Sequence, residues 1–416
     1  MIGLADVPMV FILIGITAYT VLSGADFGAG AWTLLPAWGQ AGPAAIRDHT
    51  RHAIGPVWEA NHVWLIFVLT VAWTCYPVAF GSIVSTLAIP LLIAAIGIIF
   101  RGTTYALRGQ LKDRGVAVVE NLFALSCLLT PFALATVIGA IATGRVPVGN
   151  ARGDLVTSWL NPVSVLAGGL AVAFSGYLSA VYLAADARRL SKQSLAERAL
   201  QHDFRIRALA AGVVAGALAL AGLLVIRTES RSLWDGLTSG LGLALVVLSG
   251  LAGVVTMALV WRSAFGLARA SAALAVAAVI AGWAAAQEPY LLPGLTVGAA
   301  AAGRATLIAT IVAVAAGAVV LVPSLGWLYS LVLRGRLDTG EAAPEGVDVA
   351  PAGPVPHPPR ASGGRLVAGL AGVTLVAGVG LLVFADPVWA HGLGVIALLA
   401  CAISVFGLVS RPPEET

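Results

Sequence analysis

Two short segments of the sequence hold most of the side chains that could do chemistry. In Pro56-Val-Trp-Glu-Ala-Asn-His-Val-Trp64, Glu59 and His62 are three residues apart and so share one face of a helix. A carboxylate and an imidazole at a membrane entrance can pass protons, because burial raises the pKa of an acid towards neutrality. The structural alternative is that Glu59 only complements a helix N-terminus, where an acid is favoured.

The other residues of that segment suit a helix that enters a membrane. Trp58 and Trp64 belong to the type found at the water–lipid interface, and Pro56 suits the first turn of a helix. Asn61 could extend a hydrogen-bonded path inwards from Glu59. The segment therefore predicts the start of a membrane-spanning helix with a polar entrance.

Asp26 is the second candidate, in Ser23-Gly-Ala-Asp-Phe-Gly-Ala-Gly30. A carboxylate within an apolar span is costly, so a role in proton or quinone traffic is one interpretation. The other interpretation is a packing notch in which Asp26 hydrogen-bonds to a neighbouring helix. Gly24, Gly28 and Gly30 would let the backbone of that helix come close. The sequence leaves both open.

Two further charged residues lie at the ends of apolar stretches. Arg101 is either an interfacial cation whose head reaches back to water, or the partner of Asp26 or Glu59. Glu120 begins the next stretch and is interpreted as a helix-end charge.

Ligands for a redox centre are scarce. Of the six histidines only His62 and His391 adjoin apolar spans, and no two facing spans each offer a well-placed haem ligand. His49 and His52 lie in a charged segment and are predicted to be solvated. The three cysteines are far apart, and no nucleotide-binding or metalloprotease motif is present. The sequence predicts no metal site, no bound haem and no catalytic residue of its own.

The composition identifies what must position these residues. The 416 residues are 59% hydrophobic and 11% charged, with a mean hydropathy of +0.93, whereas soluble domains carry about 25% charged residues. The low charged fraction excludes a soluble enzyme and a disordered chain. It also excludes a nucleic-acid-binding protein, for which the net charge of only +4 gives no support. We predict an integral protein of the lipid bilayer.

Each membrane-spanning helix needs roughly 20 apolar residues. The long stretches without Asp, Glu, Lys or Arg are 7–25, 60–100, 121–144, 155–185, 208–226, 236–261, 270–287, 305–333, 366–385 and 387–410. The second would be about 62 Å long as a helix, so we predict a turn between Tyr76-Pro77 and Gly81-Ser82. The sequence thus predicts eleven spans, with the proline-containing stretch 289–303 as a loop.

The basic residues indicate the orientation of these spans. With the N-terminus outside, 19 of the 24 Lys and Arg residues fall on the cytoplasmic side and 5 on the opposite side. The first residues, MIGLADVP, lack the basic region of a cleaved signal peptide. We therefore expect an outside N-terminus, a retained first span and an inside C-terminus.

The C-terminal part differs in composition from the rest. Residues 337–364 are rich in proline and acids and are predicted to form an extended cytoplasmic linker. Residues 365–416 are predicted to form a transmembrane hairpin that turns at Asp386-Pro387. The predicted organisation is a nine-span body over 1–336, a linker and a two-helix appendage.

Together these motifs resemble subunit II of cytochrome bd-type quinol oxidases, including the cyanide-insensitive branch. The resemblance covers about residues 1–336 and depends on six pieces of sequence. They are Gly24-Ala-Asp-Phe-Gly-Ala-Gly30, Pro56 to Ile66, Phe100-Arg-Gly102, Asn161-Pro162 with Gln287-Glu-Pro-Tyr-Leu-Leu-Pro293, and Pro323 to Arg336.

The resemblance implies an all-α membrane protein of two four-helix bundles plus one peripheral helix. It also implies a heterodimer with subunit I, which holds the b and d haems, in the bacterial cytoplasmic membrane. That complex oxidises quinol and reduces O₂ to water with protons from the cytoplasm. In some members subunit II binds a structural quinone and lines a proton route, whose acid falls here on Glu59.

The chain departs from the family pattern after Phe-Arg-Gly, where Ala106 stands in the place of a usual acid. Two other interpretations remain for the sequence alone. A secondary transporter would explain the buried acids and the proline-broken spans, and a purely structural membrane scaffold would need no proton role.

Overall fold

A computed structural model describes residues 3–34, 39–54, 57–107, 113–190 and 195–333, with scattered residues between 369 and 404. At 51–54, 57–60, 104–107, 113–120 and some helix ends it describes the backbone alone. The chain divides into two compact units, Met1–Tyr329 and Ser330–Thr416.

The first unit consists almost entirely of helices, apart from one short β-hairpin. In chain order they are α1 (Val7–Trp32), α2 (Pro43–Ile54), α3 (Val57–Cys75), α4 (Pro77–Thr86), α5 (Ala88–Leu107), α6 (Asp113–Ala142), α7 (Pro162–Leu190), α8 (Leu195–Glu229), α9 (Arg231–Leu237), α10 (Gly240–Trp261), α11 (Phe265–Gln287), β1 (Tyr290–Leu292), β2 (Leu295–Thr296), α12 (Val297–Ala300) and α13 (Arg304–Leu333).

Seven of the described helices are long and apolar enough to cross a membrane: α1, α6, α7, α8, α10, α11 and α13. The bent pair α4 and α5 would make an eighth if it forms one span, and the apolar part of α3, Asn61–Cys75, is shorter. The nine spans expected for the body therefore stay a prediction. The all-α polytopic membrane class is confirmed.

The spans form two packed groups. In one group α1 contacts α3 and α6, and α6 contacts α5; in the other α7 and α10 each contact both α8 and α11. Helices α1 and α6 pack against α7 and join the groups. Helix α13 is mostly exposed, which fits the peripheral helix of the expected architecture. The end of this unit that carries α2 is called the α2 end, and the opposite end, with α4 and the β-hairpin, is called the hairpin end.

The long apolar stretch 60–100 folds back through two breaks. Helix α3 ends at Cys75, close to the predicted turn, and Pro77 then begins α4. A second break at Leu87, which was not predicted, bends α4 by 83° from α5. The loop after α6 packs on α4, because the amides of Gly149 and Ala151 donate to the hydroxyls of Ser82 and Ser85, both at 2.9 Å.

Two connecting segments are more ordered than expected. The predicted loop 289–303 is not a span, as expected, but it contains β1, β2 and α12. Gly294 turns the hairpin with a φ of +74°, which favours glycine, and Pro293 precedes it as in a type II turn. Helix α8 begins at Leu195, so the charged residues before 208 lie on a helix rather than in a loop.

The start of α7 shows how local sequence sets a helix boundary. Pro162 is its first residue, and the Asn161 side chain accepts from the amide of Ser164 at 3.0 Å. A side-chain oxygen before the first turn satisfies one of the free helix N–H groups. The Asn-Pro pair therefore begins the helix.

The second unit is described only in part. Its described residues between 369 and 404 are mostly helical. The predicted linker, 337–364, lies outside the described residues, and so does most of the predicted hairpin, 365–416. The division into body, linker and appendage stays a prediction.

Candidate functional site

Asp26 lies within α1, near the α2 end, and is half-buried. Asn61 of α3 is buried, and its side-chain amide donates a hydrogen bond to Oδ2 of Asp26. The two motifs that the sequence singled out therefore meet in space, 35 residues apart along the chain.

Arg101 of α5 completes this group. It is 0% exposed, and its guanidinium carbon lies 4.5 Å from the ring centre of Phe27 and 5.8 Å from that of Phe123. It is close enough to Asp26 to interact electrostatically with the carboxylate. This burial contradicts an interfacial cation that reaches back to water and favours the alternative, a partner of Asp26.

His62 is held in place by aromatic rings of α1. Its ring centre is 5.8 Å from those of Tyr19 and Phe27, with interplanar angles of 84° and 69°. Edge-to-face contacts of this kind fix the orientation of the imidazole. The side chains of Trp58 and Glu59 lie outside the described part of the structure, so their predicted roles stay predictions.

Trp64 is partly buried in the bundle. Its ring packs edge-on against Phe67 at 6.2 Å and 88°. It also lies against the apolar cluster that contains Tyr19, Phe27 and Phe123. Trp64 thus forms part of the wall of this site, and its place at the membrane interface stays a prediction.

The three glycines of α1 are not equivalent. A Cβ at Gly28 would overlap the backbone carbonyl of Ser175, and one at Gly30 would overlap Sγ of Cys127. A Cβ at Gly24 would meet nothing closer than 3.5 Å. Gly28 therefore sets the close approach of α1 to α7, whereas Gly24 has room for a methyl group.

A long apolar cavity adjoins the Asp26 group. Its volume is about 370 Å³, and side chains of α1, α3, α4, α6, α7 and α11 line it. Along α1 the lining extends from Met9 to Phe27, about 27 Å at 1.5 Å per residue. The Tyr19 hydroxyl and Trp283 Nε1 are buried with no hydrogen-bond partner among the described residues, and both residues line the cavity.

Two residues in this part of the structure, Tyr19 and His49, were not predicted to be there. Tyr19 precedes Asp26 by seven positions, two helical turns, so the helical period could have placed both on one face. His49 was expected to be solvated, but it is buried, with Nε2 3.1 Å from the carbonyl oxygen of Leu183 and its ring 5.6 Å from that of Phe204. The amphipathic pattern of α2 was the signal for its burial.

Among the described residues, no three His, Cys, Asp or Glu side chains lie close enough together to bind an ion. The predictions that this chain binds neither metal nor haem are not tested by this observation and stay predictions.

Known proteins of similar sequence and fold share this architecture. The sequence model of the family described as cytochrome bd terminal oxidase subunit II matches residues 4–332. Cytochrome bd ubiquinol oxidase subunit 2 of Bacillus subtilis (strain 168) is 25% identical over 172 residues, which are 40% of this chain. The match covers 49% of that relative, so the chain spans about half the length of the curated relative it matches.

A solved structure has the same fold. The bd oxidase from Geobacillus thermodenitrificans is similar with a TM-score of 0.61 and 23% identity, over 80% of this chain and 99% of that one. The likeness is one of fold, whereas the family's sequence model matches residues 4–332. The chain belongs to the cytochrome bd terminal oxidase subunit II family.

Proposed function

We propose that this chain is the haem-free membrane subunit of a quinol:O₂ oxidoreductase, paired with a haem-bearing subunit I in the bacterial cytoplasmic membrane. Family membership supports this proposal over a secondary transporter. The haems of the partner subunit would supply electron transfer and O₂ reduction. This chain would support that subunit and deliver protons.

The observation that carries the proton role is the Asp26 group. A half-buried carboxylate is bonded to the Asn61 amide and lies near the buried guanidinium of Arg101. The hydrogen bond from Asn61 and the nearby charge of Arg101 hold the carboxylate in one position. A carboxylate held in this way can take up a proton and release it without leaving its place.

The direction of proton transfer follows from the distribution of basic residues. If the α2 end faces the cytoplasm, as the excess of 19 over 5 basic residues indicates, Glu59 lies at the cytoplasmic start of α3. A proton would then pass from Glu59 through Asn61 and His62 to Asp26. Consumption of protons from that side would make the reaction electrogenic.

The apolar cavity supports a second element of the proposal, a structural quinone. An isoprenoid chain needs a long apolar channel, and the cavity extends about 27 Å along α1. The buried Tyr19 hydroxyl and Trp283 N–H, which have no partner among the described residues, are donors suited to the carbonyl oxygens of a quinone ring. This quinone would be separate from the substrate quinol oxidised by the partner.

The test is Asp26→Asn in the assembled oxidase. Asparagine keeps the shape of the side chain but cannot titrate, so assembly and haem content should stay at the wild-type level. We expect quinol oxidase turnover, measured as O₂ consumption, to fall several-fold. Glu229→Gln is the matched control, because Glu229 is an exposed acid paired with Arg145 at the hairpin end, 3.5 Å away.

Wild-type turnover of Asp26→Asn across pH 6–8 would contradict the proton role. The chain would then be a structural scaffold, with Asp26 and Asn61 serving only to join α1 to α3. Loss of turnover in Glu229→Gln as well would point to a general effect of charge removal.

A further inference from the structure

A second buried arginine, Arg207 of α8, lies outside the group around Asp26. It is 1% exposed, and its guanidinium carbon is 5.2 Å from the ring centre of Phe204 and 5.6 Å from that of Trp32. Its three guanidinium nitrogens are buried and have no hydrogen-bond partner among the described residues. A guanidinium carries five N–H donors and stays charged, so burial without an acceptor is costly.

The acceptor nearest in the chain, Asp203, is engaged elsewhere. It is one turn before Arg207, is fully buried and interacts with the guanidinium electrostatically. Its two oxygens accept from the backbone amides of Gln40, at 3.0 Å, and Ala41, at 2.8 Å. Within the described residues no hydrogen bond joins it to Arg207.

We propose that Arg207 and Asp203 enclose a bound-water site. Water molecules there would accept hydrogen bonds from the guanidinium and donate to the carboxylate. Buried polar groups separated by more than a direct hydrogen bond are where internal water is found. Charge favours water over an anion, because the guanidinium and the carboxylate already cancel and an added anion would be an uncompensated buried charge. Among the described residues, the further titratable ring beside Asp203 is that of His202, with Nδ1 3.6 Å from Oδ1, and it is half exposed to solvent.

This site has a structural consequence for the segment between α1 and α2. The backbone there is fitted around Asp203: Gly39 has a φ of +135°, and a Cβ at Gly39 would overlap the carboxylate. The water holds Arg207 to Asp203, and Asp203 holds the amides of Gln40 and Ala41. The site therefore fixes this connection to α8.

X-ray radiolytic footprinting of the intact wild-type oxidase tests the proposal. Hydroxyl radicals formed from a bound water oxidise the side chains beside it, even when these are inaccessible to bulk solvent. Phe204, 0% exposed, and Trp32 should be oxidised several-fold faster than Phe265, which is 2% exposed and serves as the buried control. Equal rates at Phe204 and Phe265 would overturn the proposal.

Arg207→Met provides a second arm, because methionine fills a similar space without donors. Oxidation of Phe204 should fall to the rate of Phe265, and hydrogen exchange at the amides of Gln40 and Ala41 should accelerate several-fold. If the melting temperature of the wild type rises with chloride concentration and that of the variant does not, the site binds an anion and the water proposal is wrong. If the variant fails to assemble, the wild-type footprint decides.

Discussion

At the level of single residues, aromatic rings accompany the arginines that enter the bundle near the α2 end. Arg101 lies over Phe27, and Arg207 lies over Phe204 and Trp32. A cation over an aromatic face gains roughly 0.5–2 kcal/mol, which offsets part of the cost of leaving water. The bundle can thus hold a positive charge near Asp26 at a depth where an unsupported cation would be unstable.

The sequence predicts that Glu59 is the acid at which protons enter. Glu59 lies in the first turn of α3, two residues before Asn61, whose side chain donates a hydrogen bond to Asp26. If Glu59 is the entry acid, Glu59→Gln in the assembled oxidase should lower turnover several-fold with haem content unchanged. Glu59→Asp should keep more activity, because it retains a titrating group near the same position.

The measurement for Glu59 is O₂ consumption at saturating quinol, compared with proton uptake from the cytoplasmic side of reconstituted vesicles. The family resemblance predicts an acid at the position of Ala106, so proton delivery here should depend on fewer acids. Unaltered turnover in Glu59→Gln across pH 6–8 would mean that this carboxylate is only a helix-end charge.

At the level of elements, the packing of α1 against α7 depends on one glycine more than on its neighbours. Gly28→Ala places a methyl group on the carbonyl of Ser175, so the helices must separate. We expect a destabilisation of roughly 1–3 kcal/mol, typical of overpacking. Gly24→Ala has space and removes a weak helix former, so its effect should stay within about 1 kcal/mol.

Thermal unfolding of the purified complex measures the difference between the two variants. Gly28→Ala should lower the melting temperature and the yield of assembled oxidase, while Gly24→Ala should resemble the wild type. The same loss in both would indicate that the whole α1 segment is sensitive to added volume, and that the contact with Ser175 is not decisive.

The elements also show which features could be predicted from sequence. The long stretches without charged residues predicted each described span, and Tyr76-Pro77 predicted the end of α3 within a residue or two. The break at Leu87 was not predicted, although Pro90 lies in the first turn of α5, where proline suits a helix start. The start of α8 was missed because its first 13 residues include charges that a helix can hold outside the apolar layer.

Within the candidate site, the sequence predicted which residues take part but did not predict how they are arranged. Asp26, Asn61 and Arg101 were identified as candidates, but that Asn61 bonds Asp26 depends on the packing of α1 on α3. Arg207 was counted among the basic residues of the cytoplasmic side, because the sequence around a single charged residue does not show whether it is buried. Pairing with aromatic rings distant in sequence is a property of the tertiary structure.

At the level of the whole molecule, the family match and the tail do not overlap. The match ends at residue 332, and the related bd oxidase chain is covered to 99% by about four fifths of this chain. The remaining residues begin with a segment rich in proline and acids, a composition that favours an extended chain over a packed one. We infer that the nine-span body carries the family's function without the appendage.

Truncation after Asp338 tests this inference. The shortened chain keeps α1 to α13, so we expect it to assemble with its haem-bearing partner and to retain most of the quinol oxidase turnover. Truncation after Gly317 is the matched control, because it removes half of α13 and leaves a span too short to cross the bilayer, and it should abolish assembly. The measurements are haem content of the purified complex and O₂ consumption. Loss of the complex in the chain truncated after Asp338 would show that the C-terminal helices are part of the assembled body. The linker composition predicts instead that they form a separable appendage.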